Sequence, residues 1–220
     1  MDKKYAVLTD FDGTISTLDI GDQVIQEFIR VDNGKQLESD FRNKVIGSAE
    51  LYRRLYAGFH GTEQDVVEFV KGFYLDPYFK QFIGFCQQNN LELAVLSDGF
   101  QYYIKALFEK YGINMSDVTV YCNRAHFNAD KVVLEFPYQN PYCDICANCK
   151  AGAYIKYKDI GYDVIFIGDG FSDRYVAEKA DIVFAKSHLA QYCENNSIAY
   201  IPFGDFNDVK NALSMMLSLS

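Results

Sequence analysis

Two aspartates two positions apart, Asp10 and Asp12, close an apolar run and open the segment Asp10-Phe11-Asp12-Gly13-Thr14. Where a strand turns into a loop, one carboxylate can face a bound group while the other rises beside it. That suits a nucleophile and a proton donor. A carboxylate displaces an alkoxide from phosphorus when the phosphoryl charge is neutralised and the leaving oxygen is protonated. Taken alone, the segment also reads as an ordinary surface turn, since Asp and Gly are common turn residues. Two further segments lie just past apolar runs: Ser97-Asp98-Gly99 and Gly168-Asp169-Gly170-Phe171-Ser172-Asp173. Packing Asp10, Asp12, Asp169 and Asp173 together without a cation costs several kcal/mol in like-charge repulsion or forces protonation. Mg²⁺ resolves the conflict, because it takes about six oxygens; Asp10, the main-chain carbonyl of Asp12, Asp169 and a phosphate oxygen make a fitting shell.

The other phosphate oxygens need donors. Gly13, Thr14, Ser97, Asp98, Gly99 and Lys150 form the candidate phosphate-binding set. Ser97 brings a hydroxyl, Gly13 and Gly99 allow close approach of backbone N–H groups, and Lys150 brings charge at the start of a helix whose positive end points the same way. Ser97 and Asp98 could equally cap the following helix, and Lys156 or Lys158 could stand in for Lys150.

These residues must be carried by a framework. Apolar runs at 5–9, 91–96, 118–121, 163–167, 181–184 and 198–201 read as strands. Helical patterns at 100–111, 151–160, 172–180, 188–195 and 206–217 alternate with most of them. The expected fold class is α/β: a doubly wound, mostly parallel, Rossmann-like sheet. Two stretches interrupt it. Residues 16–84 carry helical patterns and no strand, including one at 22–30, one capped by Thr62 with Asp65 three residues on, and one opened by Asp76-Pro77. They are expected to form an α-helical cap domain inserted into a core of residues 1–15 and 85–220. Residues 122–149 are expected to add a small β-hairpin, turning at Asn128-Ala129-Asp130, and a cysteine-bearing loop. A cap must present polar groups downward, which makes Asp19, Arg53 and Arg54 the candidate substrate selectors; the two arginines also fit a solvated helix face.

A formal charge of −9 opposes nucleic acid and anionic membranes as partners and favours a small substrate. No stretch is apolar for the ~18 residues a membrane-spanning helix needs, and the expectation is a cytoplasmic protein. Reduced thiols are the default for the six cysteines. Cys143, Cys146 and Cys149, at two-residue gaps, could form a structural Zn²⁺ site with Cys122 or His126 as fourth ligand.

The set DFDGT, LSDGF, Lys150 and GDGFSD resembles, in order and across essentially the whole chain, the four motifs of the haloacid-dehalogenase superfamily of phosphohydrolases. The resemblance implies Asp10 as nucleophile, Asp12 as acid and base, Ser97 and Lys150 on the phosphate, and Asp169 and Asp173 on the metal side. The helical insertion is similar to the cap of the phosphoserine phosphatase group. SDGFQYYI, YCNRAHF and the cysteine loop are similar to the phosphatases of methionine salvage, which act on 2-hydroxy-3-keto-5-methylthiopentenyl-1-phosphate. A similar loop occurs in phosphocholine and phosphoethanolamine phosphatases. Asp19 stands where phosphoserine phosphatases carry a Glu for the substrate amine, a departure that weakens phosphoserine as the substrate. A carbon–halogen hydrolase would have little use for Asp12, Asp169 and magnesium together, and a phospho-acceptor receiver domain lacks a cap. A phosphometabolite-binding protein without turnover is the remaining rival.

Overall fold

The computed structural model of the chain describes residues 3–128, 131–143 and 145–218. Seven strands form one sheet in the order β4-β3-β2-β1-β5-β6-β7, parallel throughout except where β4 runs against β3. They are β1 (Lys4–Thr9), β2 (Glu92–Phe100), β3 (Thr119–Phe127), β4 (Val132–Glu135), β5 (Tyr162–Gly168), β6 (Ile182–Ala185) and β7 (Ile201–Pro202). Side chains alternate across a strand, so each residue of β1 falls on one of two faces. Val7 joins Val95, Ile165 and Phe184 on one face, under α5 (Phe79–Gln88), α6 (Gln101–Lys110) and α10 (Phe206–Leu217). Ala6 and Leu8 join Leu96 and Phe166 on the other, under α7 (Lys150–Asp159), α8 (Arg174–Ala177) and α9 (Ser187–Asn195). Apolar residues on both faces are what a buried parallel sheet requires.

The 16–84 segment folds as α1 (Ile20–Phe28), α2 (Gly34–Arg42), α3 (Ser48–Tyr56) and α4 (Glu63–Val70), with α5 beyond them. Thr62 caps α4 in a capping box with Asp65. The expected boundary at residue 84 falls inside α5, which packs against β2 and α10 and so belongs physically to the sheet's flank. Apolar residues of α1, α3 and α4 (Val24, Tyr56, Val66) lie in the same buried cluster as Val7 and Phe79, and α4 packs on α6. No helix among the described residues is long and apolar enough to cross a membrane.

Three local differences from the sequence pattern matter. β2 continues through Ser97, Asp98 and Gly99 to Phe100, with a register shift against β3 between Leu96 and Phe100, so the second motif ends a strand rather than opening a helix. The expected strand at 118–121 and the first hairpin strand are one element: β3 pairs β2 with its first half and β4 with its second. The helix expected at 172–180 is a 3₁₀ turn, Phe171–Asp173, followed by the short α8, because the Asp173 side chain is drawn back onto the amides of Asp169 and Gly170. Ala129 and Asp130 of the expected hairpin turn lie outside the described residues, as does Asp144 of the cysteine loop.

Candidate active site

β1 extends its pairing to Asp10, whose amide donates to Ile167 O at 2.9 Å, and this fixes the backbone that presents the carboxylate. Phe11 turns the other way, into the core between Tyr103 and Phe108, an anchor worth about 1.5–3 kcal/mol of apolar burial. Asp10 Oδ1 accepts from its neighbour's amide, Phe11 N, at 2.7 Å and from Lys150 Nζ at 2.7 Å. Lys150, the first residue of α7 and 4% exposed, also reaches Asp173 Oδ1 at 2.6 Å and Ser172 Oγ at 3.1 Å. Burial and the Asp173 charge push the Asp10 carboxyl well above its usual range against the pull of Lys150, so the carboxylate that nucleophilic attack requires calls for the further positive charge of a cation beside it. The two carboxylates outweigh the burial of Lys150 and raise its pKa, so the ammonium is permanently charged.

Asp12 is held by two sets of donors. Oδ1 accepts from the amides of Ile20 at 2.9 Å and Gly21 at 3.4 Å, which open α1. Oδ2 accepts from Ser97 Oγ and from the Tyr103 hydroxyl, each at 3.2 Å. Burial, then the nearby Asp19 charge, raises its pKa to about 7 despite these donors. A carboxyl that ionises near neutrality can give a proton and take one back. Asp19 is the N-cap of α1, accepting from Asp22 N at 2.8 Å.

Asp10, Asp169 and Asp173 each offer an oxygen within 4.8 Å of the others, the sole such metal-ligating cluster among the described residues. Three carboxylates with one buried lysine leave a deficit of positive charge, and an all-oxygen donor set suits a small hard divalent cation. Thr14 Oγ1 donates to Asp169 Oδ1 at 2.7 Å. Gly13 sits at φ +74°, and a Cβ there would come within 2.5 Å of Asp169 Oδ2, so glycine is required on both counts.

The structure therefore brings Asp10, Asp12, Gly13, Thr14, Ser97, Lys150, Asp169 and Asp173 together, and gives other partners to the rest. Gly99 N donates to Ser97 Oγ at 3.0 Å, orienting that hydroxyl. Asp98 Oδ1 accepts from Asn148 N at 2.7 Å. Lys156 bonds the Tyr121 hydroxyl and Lys158 pairs with Asp163 and Asp181, which leaves Lys150 as the lysine of the site. Arg53 and Arg54, about half exposed, pair with Glu50 on the outer face of α3; the Arg53 guanidinium also lies 4.9 Å over Phe136. Helical phase turns Tyr52 inward instead, where burial and the charges of Asp98, Asp19 and Asp12 push its phenol up. Sequence reasoning missed Tyr103 and Tyr52. The signal for Tyr103 was Gly99: a Cβ at that position would overlap the Tyr103 hydroxyl.

Nothing among the described residues supports the zinc alternative for the cysteine loop. Cys143, Cys146 and Cys149 do not converge as a ligand set among the described residues. The Cys149 thiol is instead the N-cap of α7, accepting from Gly152 N at 3.3 Å, and His126 bonds Glu135 on an exposed hairpin face.

A Rossmann-like sheet with an aspartate cluster and a lysine at the carboxyl ends of its strands fits the phosphatase class that the four sequence motifs resemble. A family model described as "Putative Phosphatase" matches residues 5–191, and the chain belongs to that family. It is 30% identical over 224 residues to the 2-hydroxy-3-keto-5-methylthiopentenyl-1-phosphate phosphatase of Bacillus cereus, with 97% of each chain covered. It is 27% identical over 217 residues to the enzyme of that name from Exiguobacterium sibiricum, covering 94% of this chain and 95% of that one. In fold it is similar to a substrate-bound phosphoserine phosphatase, with a TM-score of 0.66, 18% identity, and 96% of this chain and 99% of that chain covered. A phosphoserine phosphohydrolase-like protein from Francisella tularensis gives the same TM-score of 0.66 at 18% identity, with 95% and 99% covered.

Proposed function

We propose that the chain is a magnesium-dependent phosphomonoesterase working through an aspartyl-phosphate on Asp10, with 2-hydroxy-3-keto-5-methylthiopentenyl-1-phosphate as its substrate. The observation that carries the reaction is the pairing of an Asp10 carboxylate held by Lys150 at 2.7 Å with an Asp12 carboxyl whose pKa is about 7. The substrate rests on the names of curated relatives that match along nearly their whole length.

A carboxylate oxygen of Asp10 attacks phosphorus in line, and the bond to the ester oxygen breaks. The departing alkoxide takes the proton of Asp12. Asp12, now a carboxylate, takes a proton from water as that water attacks the phosphorus of the acyl phosphate, which frees Asp10 and inorganic phosphate. Lys150 and the Ser97 hydroxyl hold the phosphoryl oxygens. Asp10, Asp169 and Asp173 would hold Mg²⁺, which when bound supplies positive charge against the phosphoryl oxygens. Helices α1–α4 serve as the cap over this site, with Asp19 and Tyr52 facing the leaving group.

The test is a screen of phosphorylated metabolites with and without Mg²⁺, ranked by kcat/KM. The reading expects EDTA-sensitive phosphate release with the methylthio-ketose phosphate ahead of phosphoserine, phosphocholine and phosphoethanolamine. No release from any of them, or from p-nitrophenyl phosphate, would sink the phosphatase; a different leader would replace only the substrate.

A further inference from the structure

Two consecutive backbone amides just ahead of Lys150 are gripped by side chains from distant parts of the chain. Ala147 N donates to Ser48 Oγ at 2.6 Å, and Asn148 N donates to Asp98 Oδ1 at 2.7 Å. Ser48 is the first residue of α3, and its own amide donates to Ile145 O at 2.9 Å. Asn148 Nδ2 returns the grip, donating to Ser97 O and Tyr121 O, each at 2.7 Å. Asn123 Nδ2 donates to Asp98 O at 2.6 Å from β3. Ser48, Asn123, Ala147 and Asn148 are all 2% exposed or less. Bonds in such a dry interior are strong when made and costly when one partner is lost.

We propose that Asp98 and Ser48 are positioning residues: by holding the Asn148 and Ala147 amides they set where α7 begins, and so where the Lys150 ammonium stands between Asp10 and Asp173. The proposal rests on the phosphatase reading, in which Lys150 meets the phosphoryl oxygens. Asn148 is two residues from Lys150, and Lys150 N bonds back to Asn148 O at 3.1 Å, so displacement of the one carries the other. The helix end itself is capped only by the Cys149 thiol, so the segment before it is placed by these bonds together with that from Cys149 N to Tyr138 O at 3.0 Å. Lys150 makes contacts of 2.6–2.7 Å to two carboxylates, and a shift of about 1 Å would open both, a misplacement of the size that costs about 10²-fold in rate. Asp98 thus works through another residue rather than on the phosphate. Because Ser48 opens α3, the same junction ties the helix that carries Tyr52 to the segment that carries Lys150.

The test compares Ser48→Ala, Asp98→Ala, Asp98→Asn and the Ser48→Ala/Asp98→Ala double variant, with Mg²⁺ and p-nitrophenyl phosphate. Ser48→Ala is expected to lower kcat about tenfold and Asp98→Ala about 10–100-fold. Asp98→Asn, whose amide oxygen still accepts from Asn148 N, should recover most of the loss, and the double variant should lie close to Asp98→Ala, the non-additivity of one shared network. The proposal is overturned if Ser48→Ala turns over at the wild-type rate, if Asp98→Asn is as impaired as Asp98→Ala, or if the variants lower Tm with kcat per folded molecule unchanged. Amide hydrogen exchange over residues 145–150 decides the junction independently of turnover. Faster exchange in both alanine variants, but not in Asp98→Asn, supports it even should the wild type release no phosphate; unchanged exchange overturns it even in an active enzyme.

Discussion

The hydroxyl of Tyr103 reaches from the first turn of α6 to Asp12 Oδ2, 3.2 Å away, and does so through the space that Gly99 leaves by having no side chain. The proposed acid and base is thereby tied to the second motif through Ser97 and to the helix that follows it through Tyr103. The Ser97 bond pulls the Asp12 pKa down against the burial that raises it, and a phenol donating to the same oxygen acts in the same sense, because a hydrogen bond donated to a carboxylate favours its charged form.

Tyr103→Phe removes one of those donors. Leaving-group protonation needs Asp12 in its acid form, so kcat/KM should fall as pH rises through about 7 in the wild type. Without the phenol the Asp12 pKa should rise, and the alkaline limb should move to higher pH. A pH–rate profile of the two proteins checks this; a limb that stays put or moves to lower pH contradicts it.

Asp19→Asn acts in the opposite direction. The Asp19 charge is the second-largest influence raising the Asp12 pKa, after burial. Asn keeps the N-cap of α1, so the helix should survive while the alkaline limb moves to lower pH. The same profile reads the result.

Thr14→Val should weaken the proposed magnesium site. Its hydroxyl orients Asp169 at 2.7 Å, and loss of a supporting partner of this kind costs about 10–100-fold in metal affinity. The Mg²⁺ concentration for half-maximal activity should rise correspondingly, with kcat at saturating metal far less affected. An unchanged requirement would show that Thr14 does not support the site.

Arg54→Ala should do almost nothing. Its pair with Glu50 is about half exposed on both sides, and such pairs contribute about 0–1 kcal/mol. Expected are a Tm shift of a few degrees at most and kcat/KM within about twofold of wild type on any substrate. A substrate-dependent loss would restore Arg54 as a selector.

Much of this was legible because parallel sheets place function at the carboxyl ends of their strands: Asp10, Asp12, Ser97 and Asp169 each stand within three residues of the end of an apolar run. What was not legible depends on helical phase and on partners remote in sequence. Arg53 and Arg54 looked like selectors by type, but one turn of α3 places Tyr52 and Tyr56 inward and both arginines outward. The side-chain partners of Thr14 and Asp98, Asp169 and Asn148, lie 155 and 50 residues away, which adjacency in sequence does not reveal. The cysteine spacing suggested a metal, and no spacing rule reveals that one thiol is used as a helix cap.

The most direct test of the central proposal is to trap the intermediate. Wild-type protein incubated with substrate and Mg²⁺, quenched in acid and reduced with borohydride, should carry the modification on the peptide containing Asp10, and Asp10→Asn should show neither the modification nor measurable turnover, a loss of at least about 10⁴-fold. Modification of a different residue, or phosphate release by Asp10→Asn near the wild-type rate, would contradict it.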